Sequence, residues 1–343
     1  MTPPSQRPTV SLIVPGLNCA ATLPACLSAI QASSIFPDEV IFFDDGSSDN
    51  SGDLARAAGA EVLRNDGAPL GPGMARNHAA EQCSGDILVF VDSDVAVHQD
   101  AIQQLVEAIG NPRYPATVAA FGSYDDMPPA RNLASLYMNL RHHAVHQQGA
   151  PWAATFWAGL GAVRRDAFMA AGGFHGRYNR PSIEDIELGT RLIASGGRIR
   201  LVHEAQAAHY KRWSLMQVWR TDIFHRAIPW SRLIAEQRRA PADLNASAGE
   251  RSAAVLAHLL VLLLAASLLY PPLLLLAGAA FAAYLVQNRR VLAVMARRAP
   301  WYLMPPIVMM HLAYHIYASQ IFGWTLAMQR LPGRRARTAQ AGR

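Results

Sequence analysis

Residues 86–95 read DILVFVDSDV. The unbroken apolar run from Ile87 to Val91 predicts a strand covered on both faces. Asp is among the residues least suited to such a strand. Two carboxylates, Asp92 and Asp94, with only Ser93 between them, therefore mark a strand end that serves a site rather than packing.

Outward from this stretch the same grammar repeats. Residues 10–14 are a short apolar strand closed by Pro15-Gly16, and a helical pattern follows over about 22–33. Residues 39–43 are a second strand, ending in Asp44-Asp45-Gly46-Ser47. A helix over 51–58, a strand over 60–64, a Gly-Pro-Gly loop at 71–73 and a helix over 74–83 lead into the quoted strand. Strands alternating with helices imply an α/β fold, with a Rossmann-like, mostly parallel sheet flanked by helices. In such sheets ligands bind beyond the carboxyl ends of the strands. Asp44, Asp45, Asp92 and Asp94 all fall at such ends. Acids gathered on one rim repel one another unless a cation or hydrogen-bond donors on a ligand intervene.

Downstream, the pattern predicts a helix over 100–110 and a strand over 117–121. Residues 152–175, WAATFWAGLGAVRRDAFMAAGGFH, read as a loop and short helix lining a pocket. IEDIELGTRLIASGG is a helix opened by acids and closed by glycines, and 198–203 is a late strand.

Charge is distributed unevenly. From Arg251 to the end there are ten Arg and no Asp, Glu or Lys, so 21 basic residues face 25 acidic ones before it and the net +6 divides into −4 and +10. The basic residues flank apolar runs, which points to a membrane surface rather than to nucleic acid. Residues 213–240 mix Trp, Phe and Arg in the manner of an interfacial helix. A polar linker at 241–251 follows, then apolar segments at about 252–270, 271–287 and 301–328 within 252–329, and a basic tail at 330–343. The arm at 1–8 has no apolar core of a secretory signal. The positive-inside rule then expects an integral membrane protein with its N-terminal domain on the cytoplasmic face, the membrane expected being a bacterial inner membrane. Cys19, Cys26 and Cys83 lack metal-site spacing and read as reduced, buried thiols.

VSLIVPGLN, VIFFDDGSSDNS, GPGMARNHA, ILVFVDSDV and IEDIELG occur in that order. Together they resemble the inverting family 2 glycosyltransferases of GT-A fold, over residues 9–212 and into the helix beyond, and the apolar tail resembles the membrane-bound members. The resemblance implies a nucleoside-diphosphate sugar as donor, UDP first among the nucleotides, and a lipid-linked or membrane-presented acceptor. It implies that Asp92 and Asp94 hold the ribose and a divalent cation, Mg²⁺ or Mn²⁺, with His209 as a further metal ligand. Pro15, Leu17, Asn18, Asp44, Asp45, Arg76, Asn77 and Ser93 then surround the nucleotide. Glu184-Asp185 matches the family's acidic pair, with Asp185 as general base. Trp157 and Gly159 fall in the acceptor-side region that ends at Arg164-Arg165, and Arg212 and Trp213 in a segment facing diphosphate and acceptor.

Other readings compete. Processive polysaccharide synthases carry Gln in a Q-x-x-R-W motif where this chain has His209. A nucleotidyltransferase needs a basic, Gly-rich phosphate loop after the first strand, and PGLNCAATL has no Lys or Arg. An inactive membrane scaffold has no reason to keep Asp92, Asp94 and Asp185 together.

Overall fold

The structure is a computed structural model and describes residues 7–237 and 247–330. The first six residues of the expected arm, most of the 241–251 linker and the tail beyond 330 lie outside the described residues. The chain divides into two compact units, Met1–Ala130 with Val145–Arg212, and Arg131–Ala144 with Trp213–Arg343.

In the first unit, β1 (Val10–Gly16), α1 (Leu23–Gln31), β2 (Glu39–Asp44), α2 (Ser51–Ala57), β3 (Glu61–Arg64), α3 (Pro72–Gln82) and β4 (Ile87–Val91) follow the expected alternation. Pro24 and Pro72 sit at the first turns of α1 and α3, where a missing N–H is harmless. There follow β5 (Val95–Val97), α4 (Ala101–Ile109), β6 (Thr117–Tyr124), α5 (Leu133–Gln147), β7 (Trp152–Ala153), β8 (Leu160–Arg164), α6 (Arg165–Ala170), α7 (Glu184–Ala194) and β9 (Arg198–His209).

Among the described residues these strands form one sheet in the order β3-β2-β1-β4-β8-β6-β9-β5, with β7 on β9. The β3-β2-β1-β4 half is parallel. The expectation of a mostly parallel sheet needs correction beyond β4, because β8 inserts antiparallel between β4 and β6 and β5 runs antiparallel to β9. The stretch taken for a pocket-lining loop is in part this central strand. The core lies between sheet and helices, where Leu12, Val14, Phe42, Val89 and Val91 meet Leu23, Ile102 and Leu105. A register shift between β6 and β9 falls at Phe121/Ser123. It brings the Ala205 carbonyl oxygen to 2.0 Å from where a Cβ on Gly122 would stand.

The second unit is helical. The first part of α5 belongs to it, with α8 (Leu215–Arg220), a π-helical turn (Thr221–Ala227), α9 (Ile228–Gln237), α10 (Ala248–Ser267), α11 (Leu273–Gln287), α12 (Arg289–Arg298) and α13 (Met304–Arg330). Ser214 and Gln217 form a reciprocal capping box that starts α8. Small residues, Ala253, Ala257, Ala277 and Ala280, pack between α10 and α11 on either side of the Pro271-Pro272 turn. Asp222 in the π-helical turn is buried against Arg141 through two hydrogen bonds of 3.1 and 3.2 Å, and Tyr317 donates to it at 2.7 Å. Of the three expected membrane segments, α10 is the one helix among the described residues long and apolar enough to cross a membrane. Only 22% of its apolar window is buried, unlike a core helix. α11 is apolar but has 15 residues. α13 is long, but Pro305, Pro306, His311, His315 and Gln320 dilute its hydropathy.

Gly122→Ala is expected to destabilise the protein by about 1–3 kcal/mol through overpacking against backbone, read as a lower thermal unfolding midpoint. An Ala at Gly278, which has open space around it, is the control and should leave that midpoint nearly unchanged.

Candidate active site

The site begins where β4 stops. The Val95 N–H donates to the Asp92 carbonyl at 2.9 Å, so Asp92-Ser93-Asp94 is a tight turn into β5. Ser93 is half-buried between the two acids. β5 pairs with the end of β9, placing Val95 opposite His209, and the Tyr210 N–H donates to the Asp94 carbonyl at 2.8 Å. This register brings His209 Nε2 to 3.5 Å from Asp94 Oδ2. The imidazole is buried and stacked on Tyr124, with centroids 4.2 Å apart. Tyr124 in turn meets Trp157 edge-on at 4.8 Å. Trp157 lies over Gly159, where a Cβ would come within 2.5 Å of the indole, and the Gly159 carbonyl accepts the Asp92 N–H at 3.2 Å.

Arg76, on α3, is buried and forms an ion pair with Asp92. Its Nη1 also lies 3.8 Å from Glu184 Oε1. Glu184 and Asp185 open α7, where the helix dipole favours acids. The Glu184 carboxylate accepts the Ser182 N–H at 2.8 Å. Asp185 accepts the N–H groups of Ala158 at 3.2 Å and Ile186 at 2.8 Å. The structure thus brings Asp92, Asp94, His209, Arg76, Glu184, Asp185, Trp157 and Gly159 into one neighbourhood. Tyr124 joins it with no local sequence signal, because the pairing of β6 with β9 delivers it, and Ala158 joins through its N–H on Asp185.

Electrostatics separates the acids. Burial opposes the charged form of Asp94, but the His209 hydrogen bond and charge, with Lys211, hold its carboxyl below the usual range. Burial dominates at Asp92 and raises it, with Arg76 opposing and Asp94 reinforcing the rise. Burial, then the charge of Asp185, pushes Glu184 up to about 7. Burial also raises Asp185, against the pull of the Ala158 and Ile186 N–H groups and Arg76.

The other predicted residues have defined places. Gly16 in β1 is level with Asp44 in β2, which sets the loops after both strands side by side. Pro15 is buried in β1 and Leu17 is exposed beyond it. Asn18, in the left-handed region at φ 50°, accepts the Ser48 N–H at 2.8 Å and donates its own backbone N–H to Ser47 Oγ at 2.9 Å. Asp44 and Asp45 are both buried and already supplied with donors. Asp44 takes the Ser47 N–H at 2.7 Å and pairs with Arg64. Asp45 takes Asn65 Nδ2 and the N–H groups of Leu70 and Gly71 at 2.9–3.0 Å. Arg64 and Asn65 are thus part of this corner, and the motif reading did not single them out. Asn77 is engaged with both backbone groups of Phe174 at 2.8 Å. Arg212 is exposed. Trp213 is buried in the core of the second unit, its backbone bonded to Ser135 and Asn132, and is not an open wall for an acceptor.

A carboxylate oxygen and an imidazole nitrogen 3.5 Å apart can share one cation. Among the described residues no three His, Cys, Asp or Glu side chains gather around one point. A cation on Asp94 and His209 therefore draws most of its ligands from elsewhere. That suits Mg²⁺ or Mn²⁺, which keep waters and substrate phosphates in their shell.

Residues 11–172 match the family described as Glycosyl transferase family 2. The chain is 25% identical over 233 residues to the O-antigen chain rhamnosyltransferase RfbN of Salmonella typhimurium, covering 64% of this chain and 74% of that protein. It is 35% identical over 106 residues to the undecaprenyl-phosphate 4-deoxy-4-formamido-L-arabinose transferase of Pseudomonas fluorescens, 29% of this chain and 31% of that one. Among solved structures, the mannosyltransferase PcManGT from Pyrobaculum calidifontis, in complex with GDP-Man and Mn²⁺, superposes with a TM-score of 0.57 at 20% identity, covering 93% of this chain and 88% of that one. At that identity the likeness establishes the fold.

Glu184 should make stability pH-dependent. Its carboxyl titrates higher in the folded than in the unfolded chain, so the folded state holds the proton longer. Its contribution is complete below the ordinary carboxylate range and is lost as pH rises to about 7. Denaturant unfolding at pH 5 and pH 8 should show a loss in the natural chain that Glu184→Gln reduces, the remainder belonging to Asp92 and Asp185, which burial also raises.

Proposed function

The chain is a glycosyltransferase, and we propose that it moves a sugar, with inversion, from a nucleoside-diphosphate sugar to a lipid-linked acceptor presented at a membrane. The observation that carries this reading is the arrangement around β4. Arg76 pairs with Asp92, which shares its turn with Asp94 beside the His209 imidazole, and its other arm approaches Glu184 of the helix-opening pair Glu184-Asp185.

In this reading Asp94 and His209 hold Mg²⁺ or Mn²⁺, and Asp92 with Ser93 meets the ribose. The bound cation offsets the negative charge that develops on the departing diphosphate. The loops carrying Leu17, Asn18, Asp44 and Asp45 flank the base, UDP being the first choice and GDP and dTDP its competitors. Asp185 takes the proton of the acceptor hydroxyl. As that O–H bond breaks, the oxygen bonds to the anomeric carbon, and the bond from that carbon to the diphosphate oxygen breaks on the opposite face. The N–H groups of Ala158 and Ile186 fix the carboxylate for this task, and its raised titration makes it a better base than a free Asp.

The acceptor's setting is inferred from the second unit. Leu268, Leu269 and Leu275, at the turn between α10 and α11, are 82–92% exposed. Leu215, Met216, Trp219 and Phe224 are exposed along α8 and the π-helical turn. A surface of this kind suits a bilayer, and Arg251, Arg289, Arg290, Arg297 and Arg298 suit its anionic head groups. The Pseudomonas relative is named for an undecaprenyl-phosphate substrate, in keeping with a lipid-linked acceptor here.

Calorimetric titration with UDP, GDP and dTDP, with and without Mn²⁺, tests the donor site. One nucleotide should bind in a metal-dependent way, and Asp94→Ala should abolish that dependence; folded protein that binds none of the three overturns the assignment. With donor and acceptor in hand, Asp185→Asn should lower kcat about 10²–10⁴-fold with little change in donor KM. Replacing Leu269 and Leu275 together with Asp should release the protein from vesicles containing anionic lipid, measured by flotation, while donor binding persists.

A further inference from the structure

Arg76 is bonded less completely than its burial leads one to expect. A guanidinium has five N–H donors, and buried polar groups are normally all paired. Here Nη2 is committed to Asp92. Nη1 stops 3.8 Å from Glu184, beyond hydrogen-bond length, and among the described residues neither Nη1 nor Nε has a hydrogen-bond partner although both are buried. The side chain is 4% exposed, with its guanidinium carbon 5.5 Å from the Phe174 ring centroid, so water is largely kept from the idle donors. The fork is therefore shared unequally, with one arm seated on the donor-side acid and the other just short of the acid beside the base. The charged groups facing Glu184 are Asp185, its neighbour on α7, and Arg76 from α3.

We propose that Arg76 is a positioning residue that couples the two halves of the site, resting on Asp92 while the donor subsite is empty and closing on Glu184 when a cation–diphosphate takes over the charge around Asp92. This rests on the glycosyltransferase site described above and adds an order of events to it. Donor arrives first, and the Glu184-Asp185 pair is then set for the acceptor. Glu184 holds a proton for part of the time near neutrality, because burial and Asp185 push it up to about 7. A guanidinium moving into hydrogen-bond contact favours the carboxylate and expels that proton to solvent.

The proton is the readout. Premixed Mn²⁺ and UDP, GDP or dTDP are titrated calorimetrically at pH 7 in PIPES, HEPES and Tris, whose different ionisation heats report protons released per nucleotide bound. The natural chain should release about half a proton more than Glu184→Gln, since a group titrating near the working pH is half protonated. In the Arg76→Gln background, adding Glu184→Gln should change the release by nothing. Arg76→Lys, which keeps the charge, is the second variant should Arg76→Gln fold poorly, and should retain part of the difference. Equal release by the natural chain and Glu184→Gln overturns the coupling while leaving the donor site intact. So does a Glu184-dependent release that survives in Arg76→Gln. Absence of binding for all three nucleotides overturns the donor site and the coupling together.

Discussion

The pairing of β5 with the end of β9 is the constraint on which the site depends. Three residues of β5, level with His209, Ala208 and Ala207, decide where the imidazole stands. A slip of one residue reverses every side chain in a strand. It would turn His209 away from Asp94 and take Tyr124, stacked on that imidazole, out of use. The tight turn after β4 contributes the other half, because its Val95-to-Asp92 hydrogen bond sends the chain back at once. Asp92 and Asp94 are then held at a reversal whose two arms are anchored in different parts of one sheet.

That constraint explains how acids can crowd this rim without tearing it apart. Asp94 has His209 and Lys211 to favour its charge, Asp92 has Arg76, and Asp185 has two backbone N–H groups at the start of α7. Glu184 accepts the Ser182 N–H and faces a guanidinium nitrogen at 3.8 Å, and burial with the charge of Asp185 still pushes it up to about 7. Glu187, one turn along, has a bidentate partner in Arg191, whose guanidinium also reaches the Gly173 carbonyl at 2.7 Å. Neighbouring acids on one short helix are thus divided between chemistry and support by what faces them.

The parallel half of the sheet was legible because each βαβ step is local. An apolar run, a turn signal and a helical period follow one another within about thirty residues. The antiparallel half was not. Leu160–Arg164 reads as LGAVR, too short and too rich in small residues to announce a central strand, and its partners are some 40 and 70 positions upstream. Helix α5 also escaped, since Leu133–Gln147 carries polar and His residues on most sides. The acids themselves were legible by type and position, yet their partners were not. Nothing near Asp94 in the sequence points to His209, and nothing near Asp45 points to Asn65 and the 70–71 backbone.

Asp44 and Asp45 show what a motif leaves unsaid. Type and spacing put both at the end of β2, beside the loop that bears Asn18. The structure adds that each is buried and already furnished with protein donors, Asp44 by Arg64 and Ser47, Asp45 by the 65–71 loop. An ionised carboxylate has about four lone-pair sites, and three donors on Asp45 leave it little spare capacity. A base that hydrogen-bonds there has to share Asp45 with the loop or displace one of its donors. The loop carrying Asn65, Leu70 and Gly71 is tied to Asp45, and in the proposed reading, where Asp45 flanks the base, the choice of nucleotide depends on that loop as much as on the acids.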